Sequence, residues 1–296
     1  GLPMADLLIS TLIQGLIYAL ISFGVYITYS ILDFPDLGVD GTFPLGAAVT
    51  AVLLIRGVNA WLTLPLAMLA GALAGLFTGF IHVKVRIRNL LAGIITQTAL
   101  FSINLMVAGA SNVPIGRGTD TIFTSGPAAL LGDASLSTRR LVVSLVLVVA
   151  VKLVLDAYFR TKSGLLLRAV GDNSTLVTAL GKNMGNVKIL GLALSNGLVA
   201  LAGGVVCQAD KSFTATMGTG QVVFGLASVI IGISLFRKLS FVKGTTAVLV
   251  SHNIMTAVDE SLPASLSPAV HDLLRDELGF DGVVMTDDLA MEAVSR

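Results

Sequence analysis

From Leu7 to Leu32 the chain runs for 26 residues without a charged side chain. A helix needs about 20 consecutive apolar residues to cross the hydrocarbon core of a bilayer. Within lipid every backbone N–H and C=O must be satisfied internally, so such a run folds as a helix. Further runs of this kind cover Trp61–Val83, Leu90–Gly109, Leu141–Phe159, Val187–Gln208 and Gln221–Phe236. Pro44–Ile55 is apolar over only 12 residues, too short to cross alone as a straight helix, and Gly244–Val250 begins one more apolar stretch. Charged residues make up 12% of the 296, against about 25% in a soluble domain. A soluble fold would have to expose the excess apolar surface. The expected fold is therefore all-α, a polytopic helical bundle of seven to eight segments in the cell (inner) membrane, surrounded by lipid. A net charge of +1 gives no electrostatic footprint for nucleic acid. A single cysteine, Cys207 in an apolar run, excludes an intramolecular disulfide and points to no metal site.

Basic residues orient the bundle, because cytoplasmic loops carry an excess of Lys and Arg. The 83–90, 160–188 and 237–243 connections hold 11 of them, and the alternate connections hold five: Arg56, Arg117, Arg139, Arg140 and Lys211. The first group is placed in the cytoplasm and the 110–140 loop outside. The N-terminal side is open. Either the first span starts inside and Pro44–Ile55 is re-entrant, or it starts outside and Asp36–Ile55 crosses as a broken helix.

Four features inside this frame stand out. Asp33, Asp36 and Asp40 cluster in a stretch whose Pro35, Gly38, Gly41 and Pro44 are expected to prevent a regular helix. Irregular backbone at membrane depth is tolerated where protein or a water cavity surrounds it, so this is either a broken segment beside a path or an ordinary solvated loop. Gly71, Gly75 and Gly79 recur every four residues on one helix face, which lets a second helix approach closely. Gln14, Gln97, Asn104, Asn196 and Gln208 are polar residues within or at the ends of spans, suited to lining a path or to bonding between helices. The 160–188 segment is a long cytoplasmic connection, with Asp172 or Asn173 placed to cap a short helix through Leu180 between Gly171 and Gly181.

Thr161-x-x-Gly164…Leu167-Arg168-Ala169-Val170-Gly171-Asp172-Asn173…Ala179-Leu180-Gly181…Leu194-Ser195-Asn196-Gly197-Leu198…Ala202-Gly203-Gly204 resembles the permease subunits of ATP-binding-cassette importers. The branch is that of the branched-chain amino-acid and ribose permeases and, within it, the tryptophan- and tyrosine-type permeases. Pro35-Asp36-Leu37…Asp40-Gly41-Thr42-Phe43…Leu45-Gly46 fits the same group, and the likeness covers roughly residues 4–250. The resemblance implies a second permease copy, two separate ATPase subunits that hold ATP and Mg, and an external substrate-binding protein. It implies that Gly164, Arg168, Gly171, Asp172, Asn173 and Gly181 couple to the ATPase. Asp36, Asp40, Thr42 and Asn196 are then expected along the translocation path of a small solute, an amino acid or related compound. No cofactor is expected on this chain. Gly-x-x-x-x-Gly-Lys-Ser/Thr, the phosphate loop of many ATPases, is absent. Energy then comes from a partner or, in the alternative of an ion-coupled secondary transporter, from a gradient acting on Lys152 and Asp156, the only internal ionisable pair.

Residues 251–296 differ in kind. They hold nine of the 18 acidic residues and all three glutamates. A boundary is expected near residue 250, giving a permease domain over 1–250 and a tail over 251–296. Ser267 followed by Pro268 reads as a helix start, with Gly279 past its end, and Phe280–Thr286 reads as a strand leading to Asp287. This wording resembles a fragment of the glycoside hydrolase family 3 β-N-acetylglucosaminidases, in which Asp287 would match the catalytic nucleophile. The general-acid loop of those enzymes is missing, and retaining hydrolysis needs both groups. The expectation is a chimera whose tail is a truncated, inactive piece of an α/β barrel.

Overall fold

A computed structural model describes residues 2–131, 135–172, 183–242, 247–250, 262, 266–277 and 283–286. The chain divides into two compact units, Gly1–Val229 and Ile230–Arg296.

The first unit is a helical bundle. Its helices are α1 (Leu2–Tyr26), α2 (Val39–Ile55), α3 (Ala60–Val83), α4 (Asn89–Ala108), α5 (Leu136–Phe159), α6 (Lys162–Asp172) and α7 (Met184–Asp210), and α8 (Gln221–Val242) starts within it. A π turn, Ile27–Ile31, extends α1. Five described helices are long and apolar enough to cross a membrane, and α2 and α8 are shorter apolar helices. The boundaries follow local chemistry. The side chain of Asn59 accepts from Trp61 N at the start of α3, Ser135 from Thr138 N at the start of α5, and Asn183 from Gly185 N and Asn186 N at the start of α7. Gly109, at φ +77°, ends α4 in the left-handed conformation that favours glycine.

One feature differs from the expectation. Helix α2 begins at Val39 and runs through Gly41 and Pro44, where a regular helix was not expected. Proline removes one backbone donor, the bond from residue 44 to the Asp40 carbonyl, and Gly218 covers that carbonyl instead: a Cβ at Gly218 would fall 2.0 Å from it. In the 160–188 connection the described helix is Lys162–Asp172; the helix expected through Leu180 lies outside the described residues.

Helix α7 is the axis of the bundle. It is wrapped by α1, α2 and α3, and 83% of its most apolar window is buried. Helix α3 runs antiparallel to it, Gly71 lying against Asn196 and Ala200, Gly75 against Leu192 and Gly79 against Ile189. Added Cβ atoms at Gly71 and Gly75 would come within 2.4 and 2.2 Å of α7 carbonyl oxygens. Helix α1 is also antiparallel, Gly24 meeting Ser195 and Leu32 meeting Gly191. Helix α2 is parallel: Thr42 pairs with Asn196, Gly46 with Ala200 and Thr50 with Gly204. Asn196 is close to the middle of the 27-residue α7, so α2 starts half-way along the axis.

At the far end of α7 the 110–131 connection is tied down. Two short strands, β1 (Asn112–Pro114) and β2 (Ser212–Thr214), pair antiparallel. Buried Gln208 accepts from Ile122 N and donates to Ala60 O and Thr63 Oγ1, and Trp61 Nε1 donates to Ser125 O.

In the second unit, Ser267 caps α9 (Pro268–Asp272) by accepting from Val270 N, and a π turn, Leu273–Glu277, follows. Strand β4 (Val283–Thr286) falls inside the expected strand. Its partner is β3 (Ala247–Val250), in parallel register with Ala247 opposite Val283. Gly244–Val250 was read as the start of one more apolar stretch. The parallel ladder pairs the backbone groups on the edge that faces β4.

Candidate functional site

Between α1 and α2 the chain turns back through Asp33–Gly38, and what holds this irregular turn is a buried polar knot. Asp36 Oδ1 accepts from Gly38 N at 2.8 Å, and Asp36 Oδ2 accepts from Asn196 Nδ2 at 2.7 Å. Asn196 Nδ2 also donates to Leu192 O. Thr42 Oγ1 lies 2.7 Å from Asn196 Oδ1 and 3.0 Å from Gly38 O. Thr42 and Asn196 are wholly buried and Asp36 nearly so. An acid side chain is tolerated at this depth because fixed donors replace its hydration. Three of the four residues expected on a path are thus brought together, bonded to one another and away from open space.

Asp40 differs. It is half-buried at the first turn of α2, and its two oxygens accept from Gly220 N and Val222 N at 3.0 and 2.8 Å. These amides belong to the unsatisfied N-terminal turn of α8, where a negative charge complements the helix dipole. Beside Asp40 opens a cavity of about 510 Å³, whose polar lining is Asp40, Gln97, Thr98, Ser102, Asn104 and Thr219. Asn104 is wholly buried; its Nδ2 donates to Gly41 O at 3.0 Å, while its Oδ1 has no hydrogen-bond partner. Thr98, Ser102 and Thr219 were not singled out from the sequence. The signal for the first two is positional: residues 97, 98, 101, 102 and 104 recur on one side of α4.

Residues 7–275 match the family described as branched-chain amino acid transport system / permease component. The chain belongs to this family. Its similarity to a tyrosine transport system permease protein of Clostridioides difficile is 42% identity over 82% of this chain and 78% of that one. A ribose import permease protein of Haemophilus influenzae is 26% identical over 77% of this chain and 68% of its own length. A probable branched-chain amino acid transport permease protein of Methanocaldococcus jannaschii is 23% identical over 75% and 71%. No solved structure matches the chain. As a transport permease of this family, the chain is a multi-pass protein of the inner membrane. The match extends past the expected boundary at residue 250, to Arg275.

The segment expected to meet an ATPase is part helix. A Cβ at Gly164 would meet the Tyr158 carbonyl, and Gly171 presses on the Ile31 carbonyl at the end of the π turn. Arg168 is exposed, with its guanidinium 5.0 Å from the centre of the Phe159 ring. Asp172 is the last residue of α6. Asn173, Gly181 and Asp287 lie outside the described residues. The Lys152–Asp156 pair, read from sequence as internal, is on the outside of the bundle with side chains 59% and 50% exposed. Helix α5 presents most of its surface outward, and Asp156 is within one turn of its end, so both heads can reach the membrane boundary.

Proposed function

We propose that this permease works as one of two copies in an ATP-driven importer by alternating access, taking an amino acid or related small solute through the cavity beside Asp40. The observation that carries the reading is the pairing on one cavity wall of a carboxylate with a buried amide oxygen that has no partner, Asp40 with Asn104. Both are acceptors, and together they suit the ammonium group of an amino acid. The tyrosine permease at 42% identity supports the same substrate class. The knot of Asp36, Thr42 and Asn196 then serves the path indirectly, by fixing where α2 begins. Counting α2 and α8, seven membrane segments are proposed. With the basic 160–188 connection in the cytoplasm, antiparallel α1 starts outside and Asp36–Ile55 is the outward half of a broken span.

ATP and Mg belong, in this proposal, to separate ATPase subunits touching α6, and an external binding protein delivers the solute. Residues 251–296 are assigned no catalysis. The test is reconstitution with the cognate ATPase and binding protein. ATP-dependent uptake of tyrosine or a related amino acid, lost in Asp40→Ala with the protein still inserted, agrees with the proposal. Uptake by the chain alone on a proton or sodium gradient overturns it. An inserted Arg168→Glu variant is expected to bind solute and to lose stimulation of ATP hydrolysis.

A further inference from the structure

A second cavity, of about 810 Å³, lies where α3, α4 and α7 meet at the basic end of the bundle. His82, Arg86, Arg88 and Lys188 line it, and no carboxylate is among its lining residues. None of the three lysine and arginine side chains forms an ion pair among the described residues. Arg86 is held at φ +63°, a left-handed conformation that is costly for a non-glycine residue. Arg88 is the N-cap of α4 and gives it no side-chain cap, so the first amides of a 20-residue helix are left for another acceptor. These features converge on an anion.

The walls say which anion. Val83, Ile87, Leu90 and Leu91 also line the cavity. Leu90 and Leu91 are half exposed, and one turn further along α4 Ile94 and Ile95 are exposed as well. A site that is cationic at its floor and apolar within one helical turn fits a charged head joined to hydrocarbon. One lipid molecule covers both, its head on the cationic floor and its hydrocarbon on the leucines. We infer that this cavity holds the phosphate headgroup of an anionic phospholipid of the cytoplasmic leaflet, its acyl chains lying along the start of α4. The inference rests on the membrane reading above, and it concerns a different cavity from the one beside Asp40.

The test is native mass spectrometry of the chain purified from vesicles of phosphatidylglycerol and phosphatidylcholine. The wild type is expected to keep phosphatidylglycerol preferentially. Each of Arg86→Gln, Arg88→Gln and Lys188→Gln should lower that retention about fivefold, and the triple variant should abolish the preference. Lys84→Gln, a neighbouring charge outside the cavity, should leave it unchanged. The single variants carry the test if the triple variant does not fold. Equal loss in Lys84→Gln overturns the site, as does full retention in the triple variant. Inorganic phosphate that displaces the lipid completely would make it a free-anion site. Variants that keep the lipid and lose the ATPase subunits would make it a protein-docking surface. A wild type that fails to enter vesicles would break the membrane reading itself.

Discussion

Helices α5 and α7 are close in length and each is apolar enough to span a membrane, yet they occupy opposite situations. Helix α5 is the more hydropathic, and only 11% of its window is buried, against 83% for α7. The difference lies in residue size and polarity. Helix α5 is a run of valine and leucine, Leu141-Val-Val-Ser-Leu-Val-Leu-Val-Val-Ala150. Helix α7 carries Gly191, Gly197, Gly203 and Gly204 with Ser195, Asn196 and Gln208. In lipid, apolarity alone gives no reason for helices to associate, so close packing of small residues and bonds between helices decide the axis. The span with the most apolar window is the one least buried in the bundle.

This contrast can be broken by substitution. The largest effect is expected at Gly75, where a Cβ would lie 2.2 Å from the Leu192 carbonyl. Gly75→Val should cost about 3 kcal/mol or more, seen as loss of a monodisperse peak in size-exclusion chromatography. Val154→Ala on the outer face of α5 should change stability by less than about 0.5 kcal/mol; a comparable collapse there would erase the distinction. Next is Asn196→Leu, which strips Asp36 of its side-chain donor and leaves a buried acid group short of a bond, at about 1–3 kcal/mol. Thermal unfolding in detergent measures it, and Asp36→Asn in the same background should restore part of the loss. Asp40→Asn keeps the side chain's shape but removes the charge facing α8, worth about 0.3–1 kcal/mol of stability, while uptake falls more than stability does. The smallest effect is expected for Lys152→Met with Asp156→Leu. An exposed pair contributes about 0–1 kcal/mol, and transport should continue at the wild-type rate. If it stops, α5 is a functional element and the contrast fails.

Much of the outline was legible in the sequence. Trp61–Val83 differs from α3 by one residue, and Ser267 caps the helix it was expected to cap. These succeed because a span boundary and an N-cap are decided by neighbouring residues. The packing order was less legible. Nothing local in Met184–Asp210 says that three helices will surround it, although its glycines allow it. The path through Pro44 was misread because proline was weighed without Gly218, which arrives from 174 residues later to cover the freed carbonyl. Of the residues expected on a path, Asp36 and Asp40 look alike in sequence. Only the position of Asn196 and the start of α8 separate a buried knot from a cavity wall.

The short ladder between Asn112–Pro114 and Ser212–Thr214 sets an order for the protein's birth. The register places Val113 opposite Phe213, one hundred residues apart in the chain. At about 5–20 residues per second of synthesis, the first strand waits roughly 5–20 seconds before its mate leaves the ribosome. During that interval α7 must be threaded, because Gln208, which holds Ile122, Ala60 and Thr63, emerges with it. The end of the bundle that carries this ladder therefore closes late. A nascent chain stopped short of residue 208 would hold the 110–131 connection with neither the Gln208 bond to Ile122 nor the strand at 212–214.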